Sequence, residues 1–464
     1  MLIERAVAEA LESVINDDRA EPCVWVGLSA GVDSTVLLHA AAQYCSVSGK
    51  ILNAIHVHHG LSNNADAWAM QAQVLCEQLS HKFSFTINYT VERVRFDKNG
   101  DSLEQAARSA RYKVFEQFCG DGDVLLQGHH LDDQIETFFM RAIRGSGLTG
   151  LSSIPKQRSL SRDNSCQVVR PLLAIEKSQL LDYAIEHQLN WVEDESNLDS
   201  KMDRNWWRNE LLPQIWQRYP KHKQSLSRTI NNIQHEQGLL QQLLSEKLIL
   251  KTENQQVDAK IHPALQNIPS FDLSMIQKLD QVTSQGYIRA WLAQYVDILP
   301  SAIQMQSIYV DMIQARVDSE PSIAWSNSVL YRYRNCLYLL HSSLVSKDAS
   351  EIVHADWQGF ELDCLWGSIA CSEQNAVIGL IPDRYRVRRW KAGDVAKPVG
   401  RSTRKMKKWW QDYQVPSWAR NDWPIIVNKE TDEIAAVPGL FVCQGYSGEE
   451  GHLAWLCDYK VSML

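Results

Sequence analysis

A short loop between an apolar strand and a helix constrains this chain more than any other feature. Residues 23–28 form an apolar run, residues 29–34 are small or polar, and residues 35–40 begin a helical pattern. Backbone N–H groups at such a helix start converge on one point, where the helix dipole adds partial positive charge. The pattern predicts a phosphate-binding loop, with a plain turn as the alternative. Its residues are Ser29, Ala30, Gly31, Val32, Asp33 and Ser34.

Strands alternate with helices over the next hundred residues. Apolar or alternating segments at 51–57, 83–89 and 124–127 are separated by helical stretches at 65–79 and 102–119, and another helix begins near Leu131. This spacing is typical of βαβ units. We predict an α/β fold with a doubly wound parallel sheet, whose site lies at the carboxyl ends of its strands.

Length and composition predict several domains in one water-soluble chain. The 464 residues suffice for two to four domains at roughly 150 residues each. We expect a catalytic domain over 1–215, a mostly helical middle domain over 216–345 that ends in a strand pair, a linker region over 346–378, and a small α+β C-terminal domain over 379–464.

The same composition predicts a cytoplasmic protein. No apolar run approaches the ~18 residues that cross a bilayer, and the start of the chain is an acidic amphipathic helix rather than a secretory signal. The ten cysteines contain no Cys-x-x-Cys, which argues against a disulfide framework or a zinc ribbon. We expect reduced thiols and no membrane partner.

Two carboxylates follow the strand at 124–127. Asp133 and Glu136 are three residues apart, so a helix that begins near residue 132 places them on one face. Such a pair at the mouth of a phosphate-binding sheet suits Mg²⁺ or a cationic substrate. The alternative is a solvated acidic first turn, which the helix dipole favours.

Two further segments could supply the same site. Arg108 and Arg111 lie on the helix at 102–119, and we expect Arg108 to pair with Glu104 while Arg111 remains available for a phosphate or a carboxylate. Three histidines, at 56, 58 and 59, follow the second strand. A nucleotide-contacting loop that includes His58 is favoured over a metal site, because no ligand set is complete nearby.

A basic stretch marks the C-terminal domain. Residues 384–408 contain eleven Lys or Arg and one acid, Asp394, in a chain of net charge -8. Tyr385, Trp390, Trp409 and Trp410 are interleaved with these cations and could stack on bases or pack inside the domain. This makeup is typical of an RNA-binding surface, and a solvated charged face is the alternative.

Taken together, these motifs resemble the tRNA(Ile)-lysidine synthetases, a family of N-type ATP pyrophosphatases with a PP-loop. The likeness covers about residues 20–215 almost throughout and resumes at 386–446. This chain departs from the family pattern at Ala30, usually Gly, at His58, usually Asn, and at Ser196, usually Thr. The matching segments are 29–34, 56–62, 108–112, 129–137, 144–151, 170–173, 193–197 and 204–209.

The resemblance implies a reaction. These enzymes use ATP to adenylate the wobble cytidine of a CAU-anticodon isoleucine tRNA, and free lysine then displaces AMP to form lysidine. By resemblance, residues 29–34 and His58 would bind ATP, and Asp33 would assist Mg²⁺. Asp133, Glu136 and one of Arg108 or Arg111, preferably Arg111, would hold the lysine.

The resemblance also implies tRNA contacts. Residues Arg204, Asn205 and Arg208 would approach the anticodon arm, and the C-terminal domain, through Lys405, Lys407 and Lys408, would grip the acceptor stem. The oligomeric state stays open, with a homodimer as one option. Two other hypotheses remain: a thiolase-like PP-loop enzyme acting on tRNA, and a tRNA-binding protein with an inactive nucleotide fold.

Overall fold

The structure is a computed structural model. It describes residues 1–15, 22–60, 62, 64–95, 103–161, 164–193, 203–254, 268–296, 298–316, 319–342, 355–356, 362–364, 367–371, 384–446 and 453–456. These form two compact units, Met1–Leu240 and Gln241–Leu464. Leu61, residues 194–197 of the predicted motifs, and most of the predicted linker over 346–378 lie outside the described residues.

The first unit contains a six-stranded sheet between two layers of helices. The strand order is β3-β2-β1-β4-β6-β5, and every pair is parallel except β5 with β6. Its elements are α1 Leu2–Glu12, β1 Val24–Gly27, α2 Val32–Ser48, β2 Leu52–His58, α3 Ala65–Phe83, β3 Ile87–Arg93, α4 Leu103–Phe118, β4 Val124–Leu126, α5 Leu131–Ile143, α6 Leu148–Leu151, β5 Gln157–Ser159, β6 Gln167–Val169, α7 Lys177–Glu186, α8 Asp203–Trp206 and α9 Leu212–Arg218. A π-helical turn, Trp207–Leu211, joins α8 to α9.

Burial of both sheet faces explains this architecture. Helix α2 is buried on all sides over residues 34–42, because it packs against the sheet and against α1, α3 and α7. The opposite face is covered by α4, whose Val114 and Phe115 pack on Ile55 and Leu125. Strands buried on both faces read as continuous apolar runs, and the predicted doubly wound parallel sheet is confirmed.

One predicted boundary was wrong by a full helical turn. The segment 83–89 was expected to be a strand, but α3 continues to Phe83 and β3 begins at Ile87. Phe83 is an apolar helix residue that packs against the core. Ser84, in the left-handed conformation with φ 50°, ends the helix. An aromatic residue at the end of a helix is easily read as the start of a strand.

The second unit carries more sheet than the sequence indicated. Helix α10, Lys223–Asn254, spans the boundary at residue 240. The predicted strand pair near 326–340 is part of a four-stranded antiparallel sheet, β7-β10-β9-β8, and the outer strands β7 and β8 were missed. The elements of this part are β7 Ser270–Asp272, α11 Gln281–Leu292, α12 Ala302–Ser307, β8 Ser322–Trp325, β9 Ser328–Tyr333 and β10 Cys336–His341.

Three small antiparallel sheets and two short helices make up the remaining described part of the second unit. A five-stranded sheet has the order β11-β14-β17-β18-β19, beside a three-stranded sheet β12-β13-β20 and a pair β15-β16. The elements are β11 Ala355–Asp356, β12 Leu362–Cys364, β13 Gly367–Cys371, β14 Tyr385–Arg389, β15 Val395–Ala396, β16 Arg404–Lys405, α13 Met406–Asp412, α14 Ser417–Arg420, β17 Pro424–Asn428, β18 Ile434–Val437, β19 Phe441–Val442 and β20 Leu453–Leu456. No helix in the described part of the chain has the length and apolar character that crossing a membrane requires.

Candidate functional site

The predicted phosphate loop lies between β1 and α2, at the carboxyl end of the central strand. Gly31 precedes the first helical residue, Val32. The Ser34 hydroxyl lies 3.0 Å from the Gly31 carbonyl oxygen, to which it donates, and 3.1 Å from the Ser29 hydroxyl oxygen. It also accepts a hydrogen bond from the Ser29 backbone N–H at 3.2 Å. One side chain thus holds the turn closed at the start of the helix.

Ala30 has a left-handed backbone, with φ 67°. A residue with a Cβ atom pays about 1 kcal/mol or more in this region, whereas glycine does not. The Ala30 carbonyl oxygen accepts a hydrogen bond from the Val192 N–H at 2.9 Å, which ties the loop to the segment after α7. The departure from the family glycine therefore falls on a position where glycine is favoured.

Gly128 is a positioning residue that sequence reasoning missed. A Cβ atom at Gly128 would lie 3.1 Å from the Asp33 carbonyl carbon and 3.2 Å from the Ser34 backbone nitrogen. The segment between β4 and α5 consequently approaches the phosphate loop backbone to backbone. The available signal was a glycine between a buried strand and a motif helix, where close approach of two backbones often requires one.

Asp133 and Glu136 lie on one face of α5, as predicted, and both are buried. They pair with two arginines from the helical turn at 203–211. Arg204 places Nε 3.0 Å from Glu136 Oε2 and Nη2 2.9 Å from Asp133 Oδ1. Arg208 places Nε 2.6 Å from Glu136 Oε1 and Nη2 3.0 Å from Asp133 Oδ1. We call these four residues the carboxylate–arginine cluster.

Burial of the cluster excludes one of the two interpretations of the carboxylates. Asp133 is 7% exposed and Glu136 1% exposed, so they do not form a solvated acidic turn. Burial alone would raise the pKa of Asp133, but the charges of His130, Arg204, His129 and Arg208 outweigh burial and hold this pKa well below its usual range. Asp133 is therefore ionised at neutral pH. Asn205, between the two arginines in sequence, is also buried.

His130 connects the phosphate loop to the cluster. Its buried ring places Nε2 3.6 Å from Asp33 Oδ2 and 3.5 Å from Asp133 Oδ2, and its backbone N–H donates to Asp133 Oδ2 at 3.0 Å. Burial would lower the pKa of His130, but the adjacent carboxylates of Asp33, Asp133 and Asp132 raise it. The sequence motif contained His130 without indicating this bridging position.

A second polar network lies beside the first, around the buried Arg170. This guanidinium donates to His129 Nδ1 at 3.2 Å, to Gln127 Oε1 at 2.9 Å and to the Pro155 carbonyl oxygen at 2.9 Å. Burial would raise the pKa of Tyr112, but the nearby charge of Arg170, with Arg158 and Arg108, lowers it to about 8. Through its hydrogen bonds to Gln127 and His129, Arg170 holds the segment before α5 in place.

The two candidate arginines on α4 face different neighbours. The Arg108 guanidinium carbon lies 5.2 Å from the centroid of the Tyr112 ring. Arg111 lies near His59, whose pKa falls to about 4 through burial, with a contribution from the Arg111 charge. The Arg111 charge also acts on His129, next to the bridging histidine. Of the two arginines, Arg111 is the one whose charge acts on a histidine of the 56–62 motif and on a histidine of the 129–137 motif.

His56 and His58 lie within β2, near its carboxyl end, and contact different partners. His56 Nδ1 lies 2.8 Å from the Leu28 carbonyl oxygen, and His58 Nε2 lies 3.2 Å from Asp66 Oδ1 on α3. Among the residues that the structure describes, no group of three or more His, Cys, Asp or Glu side chains is arranged to hold a metal ion. His58 is nonetheless the last residue of β2, and the carboxyl end of this strand lies on the same side of the parallel sheet as the phosphate loop.

Most cations of the basic stretch at 384–408 fall into two sets, to which Arg384, before β14, and Lys391, paired with Asp432 at 3.7 Å, do not belong. Arg386, Arg388 and Arg389 lie on β14, and the prediction that they face RNA was too broad. Arg388 is 2% exposed and pairs with Asp394 at 2.9 Å and with Asp432 at 3.1 Å. Arg386 also pairs with Asp432, at 2.8 Å, and Arg389 pairs with Asp422 at 2.7 Å. Two of these acids lie outside the stretch, so its local composition could not reveal the pairing.

The second set remains on the surface. Its members all lie after β14 and are exposed: Lys397, Arg401, Arg404, Lys405, Lys407 and Lys408. We call them the exposed cation set. Trp409 and Trp410 are completely buried, and Trp409 Nε1 donates to the Ala396 carbonyl oxygen at 3.1 Å. Of the two interpretations of these tryptophans, packing is confirmed and stacking on RNA is wrong.

Comparisons with known proteins agree with this organisation. Residues 3–215 match the family model of the PP-loop domain, residues 271–338 that of the TilS substrate-binding domain, and residues 385–459 that of the TilS substrate C-terminal domain. The tRNA(Ile)-lysidine synthase of Vibrio atlanticus is 37% identical over 96% of this chain and 98% of its own length. Those of Photobacterium profundum and Escherichia coli O157:H7 are each 34% identical, over 93% and 92% of this chain and 95% of their own lengths. This chain belongs to the tRNA(Ile)-lysidine synthase family.

Proposed function

We propose that this chain joins free lysine to the wobble cytidine of a CAU-anticodon isoleucine tRNA, using ATP, and thereby switches codon reading from AUG to AUA. One observation carries the proposal. His130 Nε2 lies within 3.6 Å of a carboxylate of the phosphate loop and 3.5 Å from a carboxylate of the cluster. A site suited to a nucleotide therefore adjoins a site suited to a cationic substrate, as a two-step transfer between them requires.

The phosphate loop would bind ATP together with Mg²⁺. Asp33 Oδ1 is buried and has no hydrogen-bond partner among the described residues, so this carboxylate oxygen is available to a cation. Mg²⁺ is usually held by one or two carboxylates, with phosphates and waters completing its shell. The ion would offset the negative charge of the phosphates, while backbone N–H groups at the start of α2 contact the pyrophosphate.

The reaction then proceeds in two displacements. The carbonyl oxygen of cytosine attacks the α-phosphorus of ATP, and the bond to pyrophosphate breaks. The amine of lysine next attacks the ring carbon that carries the adenylyl oxygen, and AMP leaves with loss of one proton from the amine. The protein contributes chiefly by positioning both reactants and by stabilising negative charge at the phosphate loop.

The carboxylate–arginine cluster would receive the lysine. Ionised Asp133 and the neighbouring Glu136 are suitable acceptors for ammonium groups, and Arg111 is suitable for the lysine carboxylate. Guanidinium groups of Arg204 and Arg208 now occupy these acceptors. Lysine must therefore share the carboxylates with the arginines or displace one of them, and tRNA phosphates offer the displaced arginine a new partner.

Two other functions are less well supported. Thiolases of this fold class commonly use reactive cysteines, and residues 29–34, 129–137 and 204–209 contain none. An inactive nucleotide fold would not be expected to retain Asp33, Asp133 and Glu136 as a set connected through His130 and the arginines. The cytoplasmic location remains a prediction, and the oligomeric state stays open.

Two assays on the purified protein test the proposal. We expect incorporation of radiolabelled lysine into a transcript of the CAU-anticodon isoleucine tRNA, with AMP and pyrophosphate as products. ATP–pyrophosphate exchange should require the tRNA and proceed without lysine, because adenylation precedes lysine attack. Exchange that depends on lysine but not on tRNA would contradict the proposed order, and absence of lysine incorporation would contradict the function.

A further inference from the structure

A wide-mouthed cavity of about 340 Å³ opens in the first unit between α5, α9 and the start of α10. Its wall is largely aromatic, formed by Phe139, Trp216 and Tyr219, with polar groups from His222, Ser225 and Thr229. The volume lies within the usual range for small-ligand pockets, roughly 300–1,000 Å³. Tyr219 is 51% exposed at the mouth, where its ring meets the His222 ring edge to face.

The cavity adjoins the carboxylate–arginine cluster without containing its charges. Phe139 follows Glu136 by three residues on α5, about 4.5 Å along the helix axis. The Phe139 ring stacks on Trp207, with centroids 5.6 Å apart and an interplanar angle of 11°, and Trp207 directly precedes Arg208. A ligand in the cavity would therefore lie about one helical turn from the site that receives the reacting groups.

The chain around the cavity is cationic. Residues 211–235 contain four Lys or Arg and no Asp or Glu, in a protein of net charge -8. Arg218, Lys221 and Arg228 are exposed, and Arg228 Nη2 donates to the Ser225 hydroxyl oxygen in the cavity wall at 3.2 Å. Lys223 Nζ lies 5.7 Å from the centroid of the Trp216 ring but pairs with Asp132 at 2.9 Å, so the cationic rim consists of the three exposed residues. A flat aromatic pocket inside a cationic rim is complementary to a base that carries a phosphate.

We propose that this cavity binds an unpaired nucleobase of the tRNA anticodon loop, other than the base that is modified. The inference rests on the proposed function and adds to it a second base-binding site. The base stacks on Tyr219 and Trp216, and its flanking phosphates contact the cationic rim. Free lysine is a poor occupant, because no acidic side chain is among the described residues that line the cavity.

Removal of single bases from the RNA provides the test. A set of full-length tRNA transcripts, each with one abasic site in the anticodon loop, is titrated against wild-type protein and against Tyr219→Ala. With intact tRNA, Tyr219→Ala should weaken binding about tenfold. With the one transcript that lacks the stacked base, the two proteins should bind equally, because there is no base left to stack on Tyr219.

Two further variants make the outcome specific. Tyr219→Phe keeps the aromatic face and should bind intact tRNA like wild type. Ile143→Ala, an exposed apolar residue of α5 outside the cavity lining, should do the same. The inference would be overturned if wild type and Tyr219→Ala bound every transcript equally well. It would also be overturned if Tyr219→Ala weakened binding by the same factor at every abasic position. Either result alongside normal lysine incorporation by wild type would leave the proposed function standing, whereas failure of wild type to modify tRNA would remove both.

Discussion

At the residue scale, two small side chains set the geometry of the phosphate loop in opposite ways. Ala30 carries a methyl group where the backbone, at φ 67°, favours glycine. Gly128 lacks one where a Cβ atom would collide with the backbone of Asp33. The first could be suspected from the sequence through the family pattern. The second could not, because it depends on the approach of two loops that are nearly a hundred residues apart.

Ala30→Gly should stabilise the protein. Relief of the left-handed strain gains about 1–2 kcal/mol, and the greater freedom of glycine in the unfolded chain returns about 0.4–1 kcal/mol. The expected net gain in the free energy of unfolding is about 0.5–1 kcal/mol, measured by denaturant titration. Ala41→Gly, inside the same α2 helix, should instead destabilise by about 1 kcal/mol. Equal losses of stability in the two variants would contradict the left-handed assignment of Ala30.

Gly128→Ala should impair use of ATP. The added Cβ atom, 3.1–3.2 Å from backbone atoms of Asp33 and Ser34, must push the phosphate loop away from its position. A misplacement of 1 Å can cost about a hundredfold in rate, so for this smaller shift we expect a severalfold loss in kcat/KM for ATP. The control is Gly238→Ala in α10, where the new Cβ atom meets no described atom within 4 Å. Unchanged ATP kinetics in Gly128→Ala would show that the loop tolerates the shift.

At the element scale, the sequence predicted the features that depend on a single helix face or a single strand. The shared face of Asp133 and Glu136 follows from spacing along α5 alone, and the parallel strands follow from their apolar runs. The pairing of these carboxylates with Arg204 and Arg208 crosses about 70 residues, and local periodicity carries no information about it. The outer strands β7 and β8 were missed for a related reason: each has only three or four residues and is defined by its partners in the sheet.

Glu136→Gln tests the ion pairs that link α5 to the helical segment at 203–211. The change keeps the shape but removes a charge that pairs with both arginines. We expect the KM for lysine to rise about tenfold or more, because a charge-assisted hydrogen bond contributes about 1.5–3 kcal/mol, while the KM for ATP changes little. Steady-state kinetics with each substrate varied in turn provide the measurement. Parallel increases for both substrates would indicate that Glu136 acts only in folding.

At the scale of the whole molecule, an acidic protein must attract a polyanion through local surfaces. The exposed cation set lies in the second unit and the cationic rim of the aromatic cavity in the first. Sequence composition located the basic stretch but could not separate its exposed members from the strand arginines, whose acidic partners Asp422 and Asp432 lie further along the chain. Only the folded sheet brings β14 next to the segments that neutralise it.

Replacing Lys405, Lys407 and Lys408 together by Ala should weaken tRNA binding and reduce its dependence on salt. All three side chains are exposed, so their removal should not alter the fold. For every phosphate that the variant no longer neutralises, the slope of log affinity against log salt should fall by about 0.7–0.9, measured by filter binding over a range of KCl concentrations. The KM values for lysine and ATP should stay nearly as in wild type. The control removes the same charge elsewhere, at exposed Lys113, Lys278 and Arg316. If both triple variants bind tRNA equally weakly, total charge governs binding and residues 405–408 form no specific RNA contact.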